Sequence, residues 1–341
     1  MMLRINQRYI GVLVLLLLGA LLMGGCGKQQ KSAMGGLFGA SGSPMEMVAV
    51  VPLEYDTPAL RDSIKAAFGR PMPILPQAEP MVTVMTTTEQ NFSQMFKSMR
   101  NVLYVSIDPE VYTRPSVGLA RDQFVAGQLI IHAKAESMEG FYQLLRQRGE
   151  YLSDLIHQEE MKRLSASFET TYSSALAKLV EDTIGGWTIN ATNLVKFTNT
   201  ADNFVWASDL GQKGRTDLMI YTYPLETVGS LEPNHIIAMR DSVLQQNVKG
   251  QYENSYMTTE KRITPRVRKF EYNGLQRVEL RGLWSMVGDM MGGPYVLHAI
   301  PDVANGRVIV AEVSVFNPGG SKKGLVLYAE SQLYTLRPVG E

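Results

Sequence analysis

The stretch RVRKFEYNGLQRVELRGLW, residues 266–284, decides the fold class. Asn273-Gly274 is the strongest short hairpin signal in the chain, because the favoured two-residue turn needs positive φ at both central positions and Asn and Gly adopt it at least cost. The pattern predicts paired strands over 266–272 and 275–284. Downstream, Tyr295 to Ile300 and Arg307 to Phe316 read as further strands, with Asn305-Gly306 marking another tight turn. Upstream, strands are expected at Trp187 to Phe197, Phe204 to Ala207 and Leu218 to Tyr223, and a helix from Pro233 to Val248 that stops at Gly250. Ser321 is positioned to cap a last helix whose Leu325, Ala329, Leu333 and Leu336 face inward.

The region before Gly185-Gly186 repeats this mixture. Met47 to Val51 reads as a strand, and Thr57-Pro58 supplies a cap and a first-turn proline for a helix with Leu60, Ile64 and Phe68 on one face, ending at Gly69. Met81 to Met85 is a second strand, and Thr86 with Glu89 fits a capping box ahead of a helix carrying Phe92, Met95, Phe96 and Met99. Val102 to Ile107 and Phe124 to Ala133 add strands. Met138 to Val180 reads as helix interrupted near Gly149, with Leu155, Leu164, Phe168, Tyr172, Leu176 and Leu179 as its apolar stripe. The expected fold is therefore α+β in two halves, 46–184 and 185–341, each a largely antiparallel sheet with helices packed on one side.

Residues 1–25 carry Arg4 and Arg8 ahead of an apolar run from Ile10 to Met23, the arrangement of a secretory signal. The run is shorter than the roughly 20 residues needed to cross a bilayer, and it closes on Gly24-Gly25-Cys26, which resembles a bacterial lipobox with methionine at position 23 in place of the usual leucine. The expectation is cleavage before Cys26 and acylation of its sulfur, with more than one acyl chain because a single one holds only marginally. Residues 26–45 form the lipidated cysteine and a Gly/Ser-rich tether, about 20 to 25 Å long as a coil. No acidic residues follow Cys26 closely, so the chain lacks the surface-export signal of Bacteroidota lipoproteins, favouring an outer membrane location facing the periplasm.

Composition excludes other classes. Without Arg4 and Arg8 the 33 basic residues fall to 31, against 33 acidic, so no net field draws the chain to nucleic acid. Cys26 is the sole cysteine, leaving no thiol for an internal disulfide, a metal or a nucleophile once it is acylated.

Arg281-Gly282-Leu283-Trp284, Gly292-Gly293-Pro294-Tyr295, and Asn317-Pro318 leading through Lys322-Lys323 into the last helix resemble the C-terminal signature of an uncharacterised family of Bacteroidota lipoproteins, domain of unknown function 4837. The resemblance runs through the mature chain, including Phe204 to Trp206, and Tyr295 stands where phenylalanine is commoner. It implies a lipidated envelope protein and supplies neither catalytic residues nor substrate.

The motifs for chemistry are sparse. His132, His157, His235 and His298 form no spaced pair for zinc, no G-x-S-x-G elbow is present, and no cofactor motif appears. Asp154 and His157, at i and i+3, fit an oriented base or a solvated helix face. Two segments are candidate binding sites. Pro318 to Gly324 is a glycine-rich turn entering a helix, with Lys322 and Lys323 in a first turn where the helix dipole disfavours cations, so an anionic partner would relieve them. Arg281 and Trp284 are hot-spot residue types beside bending glycines; core packing is the alternative for the tryptophan. The sequence thus fits a non-catalytic binding or assembly factor with an envelope-protein or cell-wall partner, the alternative being a hydrolase of cell-wall or lipid material. Cells fed labelled palmitate are expected to label this chain and to lose the label on Cys26→Ser; equal labelling of the variant overturns acylation at Cys26.

Overall fold

The structure, a computed structural model, describes residues 39–340 except 212 and 213. The signal, Cys26 and the tether up to residue 38 lie outside the described residues. The end of the expected tether is held to the body: the Ala40 N–H donates to Ala126 O at 3.0 Å, the Ser41 N–H to Ser98 O at 2.7 Å, and Met45 is buried.

The N-terminal elements are β1 (Glu46–Val51), α1 (Pro58–Phe68), β2 (Thr83–Thr88), a short α2 (Gln94–Lys97), β3 (Asn101–Ile107), β4 (Ser116–Arg121), β5 (Leu129–Ala135) and α3 (Met138–Ser167). Thr57 caps α1 through its hydroxyl, which accepts from the Leu60 N–H at 3.3 Å. The α+β class holds, and this sheet, ordered β2-β1-β3-β5-β4, carries parallel ladders at β1–β2, β1–β3 and β3–β5, with only β4 antiparallel. A parallel pair needs a crossover, and α1 supplies the one between β1 and β2. The Thr86–Glu89 capping box does not form, because Thr86 is still in β2 and a 3-10 turn follows. Nor does α3 break at Gly149: a Cβ there would stand 3.0 Å from that of Ala67, so the glycine lets α1 approach α3. The interruption comes after Ser167, before α4 (Ser174–Ile184).

The C-terminal elements are β6 (Trp187–Thr188), β7 (Phe197–Ala201), β8 (Phe204–Ser208), β9 (Arg215–Pro224), α5 (Pro233–Asn247), β10 (Tyr256–Thr259), β11 (Arg266–Tyr272), β12 (Leu275–Val287), β13 (Gly292–Asp302), β14 (Arg307–Phe316), α6 (Lys323–Leu333) and β15 (Arg337–Pro338). The large sheet runs β10-β12-β13-β14-β9-β8-β7 with β11 also on β12, antiparallel throughout. Asn273 and Gly274 both have positive φ, 49° and 73°, as the hairpin turn requires. The expected strand from 187 to 197 keeps only its ends.

Helices cover both faces of this sheet. Ile236 and Leu244 of α5 join Tyr221, Leu297 and Trp284 in one core. On the other face, Ile309, Ala311 and Val313 meet Val326, Ala329 and Leu333 of α6, in a cluster that continues through Leu152 and Ile156 of α3 to Met47 and Ala49 of β1. One core therefore joins the two sheets, with α3 and α6 packed together between them.

The entry to α6 differs from expectation. Ser321 does not cap it; its hydroxyl donates to Glu79, from the proline-rich loop before β2. The Glu79 carboxylate also accepts from the backbone N–H groups of Lys322 at 2.6 Å and Lys323 at 3.2 Å. Glu79 thus fills the anion position at this helix N-terminus. Glu79→Ala is expected to cost about 1 to 2 kcal/mol, the scale of a lost cap, read as a lower urea midpoint; an unchanged midpoint overturns this role.

Candidate functional site

The residues singled out by sequence are distributed as follows. Trp284 is 1% exposed, stands 6.1 Å from the Phe316 ring, and its indole donates to Val315 O at 3.3 Å. The surface-anchor reading of Trp284 therefore gives way to core packing. The neighbouring glycine is part of it: a Cβ on Gly293 would lie 2.0 Å from Val315 O, so only glycine admits this approach. Arg281 is likewise buried, donating to Glu279 at 2.8 Å and to Glu330. Lys322 and Lys323 turn to their own chain: the Lys322 ammonium donates to Gln77 at 3.2 Å and that of Lys323 to Pro80 O and Thr83 at 2.9 and 3.0 Å. The Asp154–His157 dyad does not form. Asp154 accepts from Arg70 at 2.7 Å, while the His157 Nε2 lies 3.3 Å from Glu330.

Arg281 and His157 nevertheless belong to one arrangement. Arg277, Glu279 and Arg281 alternate along β12 and so point to the same face, where His298 of β13 joins them beneath α6. Glu330 of α6 pairs with Arg281. Burial raises its carboxyl pKa, but Arg281 and His157 outweigh burial and hold it lowered. Glu279 is lowered in the same way, burial being outweighed by Arg281 and by contacts with His298 and Arg268. Carboxylates held so firmly ionised are poor proton carriers at neutral pH. Burial lowers Arg277 to about 10, leaving it charged, and it donates to Leu333 O, the last carbonyl of α6, at 2.8 Å and to Leu336 O, just beyond the helix, at 3.0 Å.

This ion-paired frame lies beside a groove. One wall is α3, whose Asp154, Gln158, Lys162 and Ala166 follow each other at fourfold spacing for about 18 Å. The other is β11, where Arg266, Arg268 and Tyr272 line the same side over about 20 Å. At one end a cavity of about 70 Å³ meets His157, Arg268 and Arg281. At the other the groove opens to about 610 Å³ between Lys162, Ala166, Glu169 and Tyr172 on one side and Tyr272, Asn273, Tyr334 and Arg337 on the other. Arg268 links the two linings: it borders the small cavity, and its guanidinium donates to Glu279 at 2.7 Å and, at 2.9 Å, to the hydroxyl of Tyr334, which lines the large one. In the sequence, Asp154, His157 and Arg281 point to the narrow end as candidate residues, whereas at the wide end the Asn-Gly turn marks a hairpin rather than a cavity rim. Lys162 and Arg337 come from elements 175 positions apart, so no local pattern joins them.

The chain carries two uncharacterised domains: residues 174–335 match the domain of unknown function DUF4837, and residues 40–169 match the domain of unknown function DUF8532. The two matches meet at the turn between α3 and α4. No curated protein matches the chain. Among solved structures, human STARD10 aligns at 9% identity over 47% of this chain and 74% of that one, with a TM-score of 0.21. The lipid transfer and protein localization domain of human StarD13 (DLC2) aligns at 14% over 47% and 94%, with a TM-score of 0.17. At those scores neither likeness carries an argument about this chain.

His298 sets a pH dependence. Its Nδ1 is 3.3 Å from the Arg277 guanidinium, which only donates, so Nδ1 accepts and the ring proton sits on Nε2, 3.4 Å from Glu279. Burial, helped by Arg277 and opposed by Glu279, lowers its pKa to about 4. The unfolded chain, with a histidine pKa near 6.5, binds a proton that the folded one refuses. This stability is complete above about pH 6.5 and is lost as pH falls toward 4, by roughly 3 kcal/mol at full extent. Urea unfolding at pH 7 and pH 5 is expected to show the loss, and His298→Gln, whose amide can accept from Arg277 and donate to Glu279, to reduce it. His132, also lowered by burial and by Lys134, accounts for a remaining slope. Equal pH dependence in the variant overturns the assignment.

Proposed function

We propose that this chain is a lipid-anchored envelope protein, at the outer membrane facing the periplasm, that binds a partner without catalysing a reaction, and that the α3–β11 groove is where it binds. The anchor rests on the signal and on Cys26; among the described residues no helix is long and apolar enough to cross a membrane. The observation that carries the binding reading is the groove itself. Its wide end has a volume within the range of small-molecule sites. Its floor is held by the ion-paired frame, because the Tyr334 hydroxyl accepts from Arg268, which is paired with buried Glu279, and such support suits a preformed site. His157, the best placed general base in the sequence, rests against ionised Glu330 beside a cavity of about 70 Å³. That favours binding over the hydrolase reading.

A photo-crosslinking amino acid at Ala166, which lines the wide end from α3, is expected to give a discrete light-dependent adduct in intact cells. The same residue at Val228, exposed far from the groove in sequence, should give none of that size. Absence of an adduct at 166, or an identical pattern at both positions, overturns the assignment of the groove.

A further inference from the structure

We infer that the wide end of the groove takes a sugar ring bearing a carboxylate; this rests on the binding reading above and names its ligand class. The first ground is charge. Arg337 has no carboxylate partner among the described residues: its terminal nitrogens donate to Thr335 O at 3.0 Å and Asn190 Oδ1 at 3.4 Å, leaving donors of its five unused. Lys162 reaches only Glu159, at 3.3 Å, and that carboxylate is already held by Arg121 at 2.7 Å. Two cations thus border the cavity against one carboxylate, Glu169. A guanidinium with a free edge is matched to a planar carboxylate.

The second ground is shape and polarity. Three tyrosines line the cavity, Tyr272 from β11, Tyr172 from the turn after α3, and Tyr334, whose ring centre is 5.0 Å from those of both Tyr272 and His298. The negative face of a phenol ring attracts the positive C–H edges of an apposed ring, which a pyranose offers on its flat sides. Asn273, at the hairpin tip, and the Asn190 amide add donors and acceptors suited to hydroxyl and N-acetyl groups. A cavity so rich in polar side chains does not suit an acyl chain, whose burial needs an apolar lining.

Carboxylated sugars in an envelope come from cell-wall glycan whose muramic acid has lost its stem peptide or from acidic glycolipid, and calorimetric titration of the detergent-solubilised full chain separates them. The probes are the N-acetylglucosaminyl–N-acetylmuramic acid disaccharide, its methyl ester, and an octulosonic-acid disaccharide with its own ester. The expected result is at least tenfold tighter binding of one acid than of its ester, the acid that wins naming the source. Arg337→Gln should abolish that preference while leaving the thermal midpoint unchanged. Tyr272→Phe should bind as the parent does, and Tyr272→Ala should lose about tenfold for acid and ester alike. Equal binding of acids and esters, or no binding of any probe at millimolar concentration, overturns the inference. If no probe binds while the Ala166 crosslink still forms, the ligand class fails and the groove stands; if neither occurs, both fail.

Discussion

The seating of α6 is the constraint on which the rest of the molecule depends. Its N-terminus receives the Glu79 carboxylate, its middle offers Glu330 to Arg281 and His157, and its last carbonyl receives Arg277. An anion at the positive end of a helix and a cation at its negative end both favour the dipole. These partners come from widely separated parts of the chain: the loop before β2, the middle of α3, and β12. The groove exists because α6, held this way, supports Tyr334 and leaves α3 standing off from β11.

Burying so many charges is not a simple gain in stability. Taking ionised groups out of water costs several kcal/mol each, and their attraction repays that only with good geometry. Removing one partner leaves a buried charge unmatched, so the network discriminates between seatings of α6: one turn of displacement would take Glu330 from Arg281. The same logic recurs on the far face of the sheet, where Arg240 of α5 grips Glu312 through two nitrogens, at 2.9 and 2.6 Å. Each helix is thus keyed to the sheet by a charge as well as by apolar packing.

Local structure follows from local signals. Thr57-Pro58, Asn273-Gly274 and the run from Arg307 to Phe316 each act through their own backbone, and each element stands where it was expected. The misses have tertiary causes. Gly149 looks like a break because glycine is a poor helix former, but its lack of a side chain serves contact with Ala67. Strand direction is not written in composition, so the parallel ladders of the N-terminal sheet were invisible. A glycine-rich turn entering a helix suits an anion, yet nothing nearby in sequence identifies Glu79, some 240 positions earlier, as the carboxylate that takes the place of an external partner there. Trp284 and Arg281 were noticed for their residue types, whereas burial depends on which elements fold over them.

The helix that locks the two large sheets together follows every one of their strands in chain order. Until residues 323–333 are in place, Arg281 lacks Glu330, Arg277 lacks the Leu333 carbonyl, and the shared core stays open along one side. Domains tend to fold as units once their parts are present. This architecture therefore makes closure of the shared core wait on α6, however complete the strands before it are.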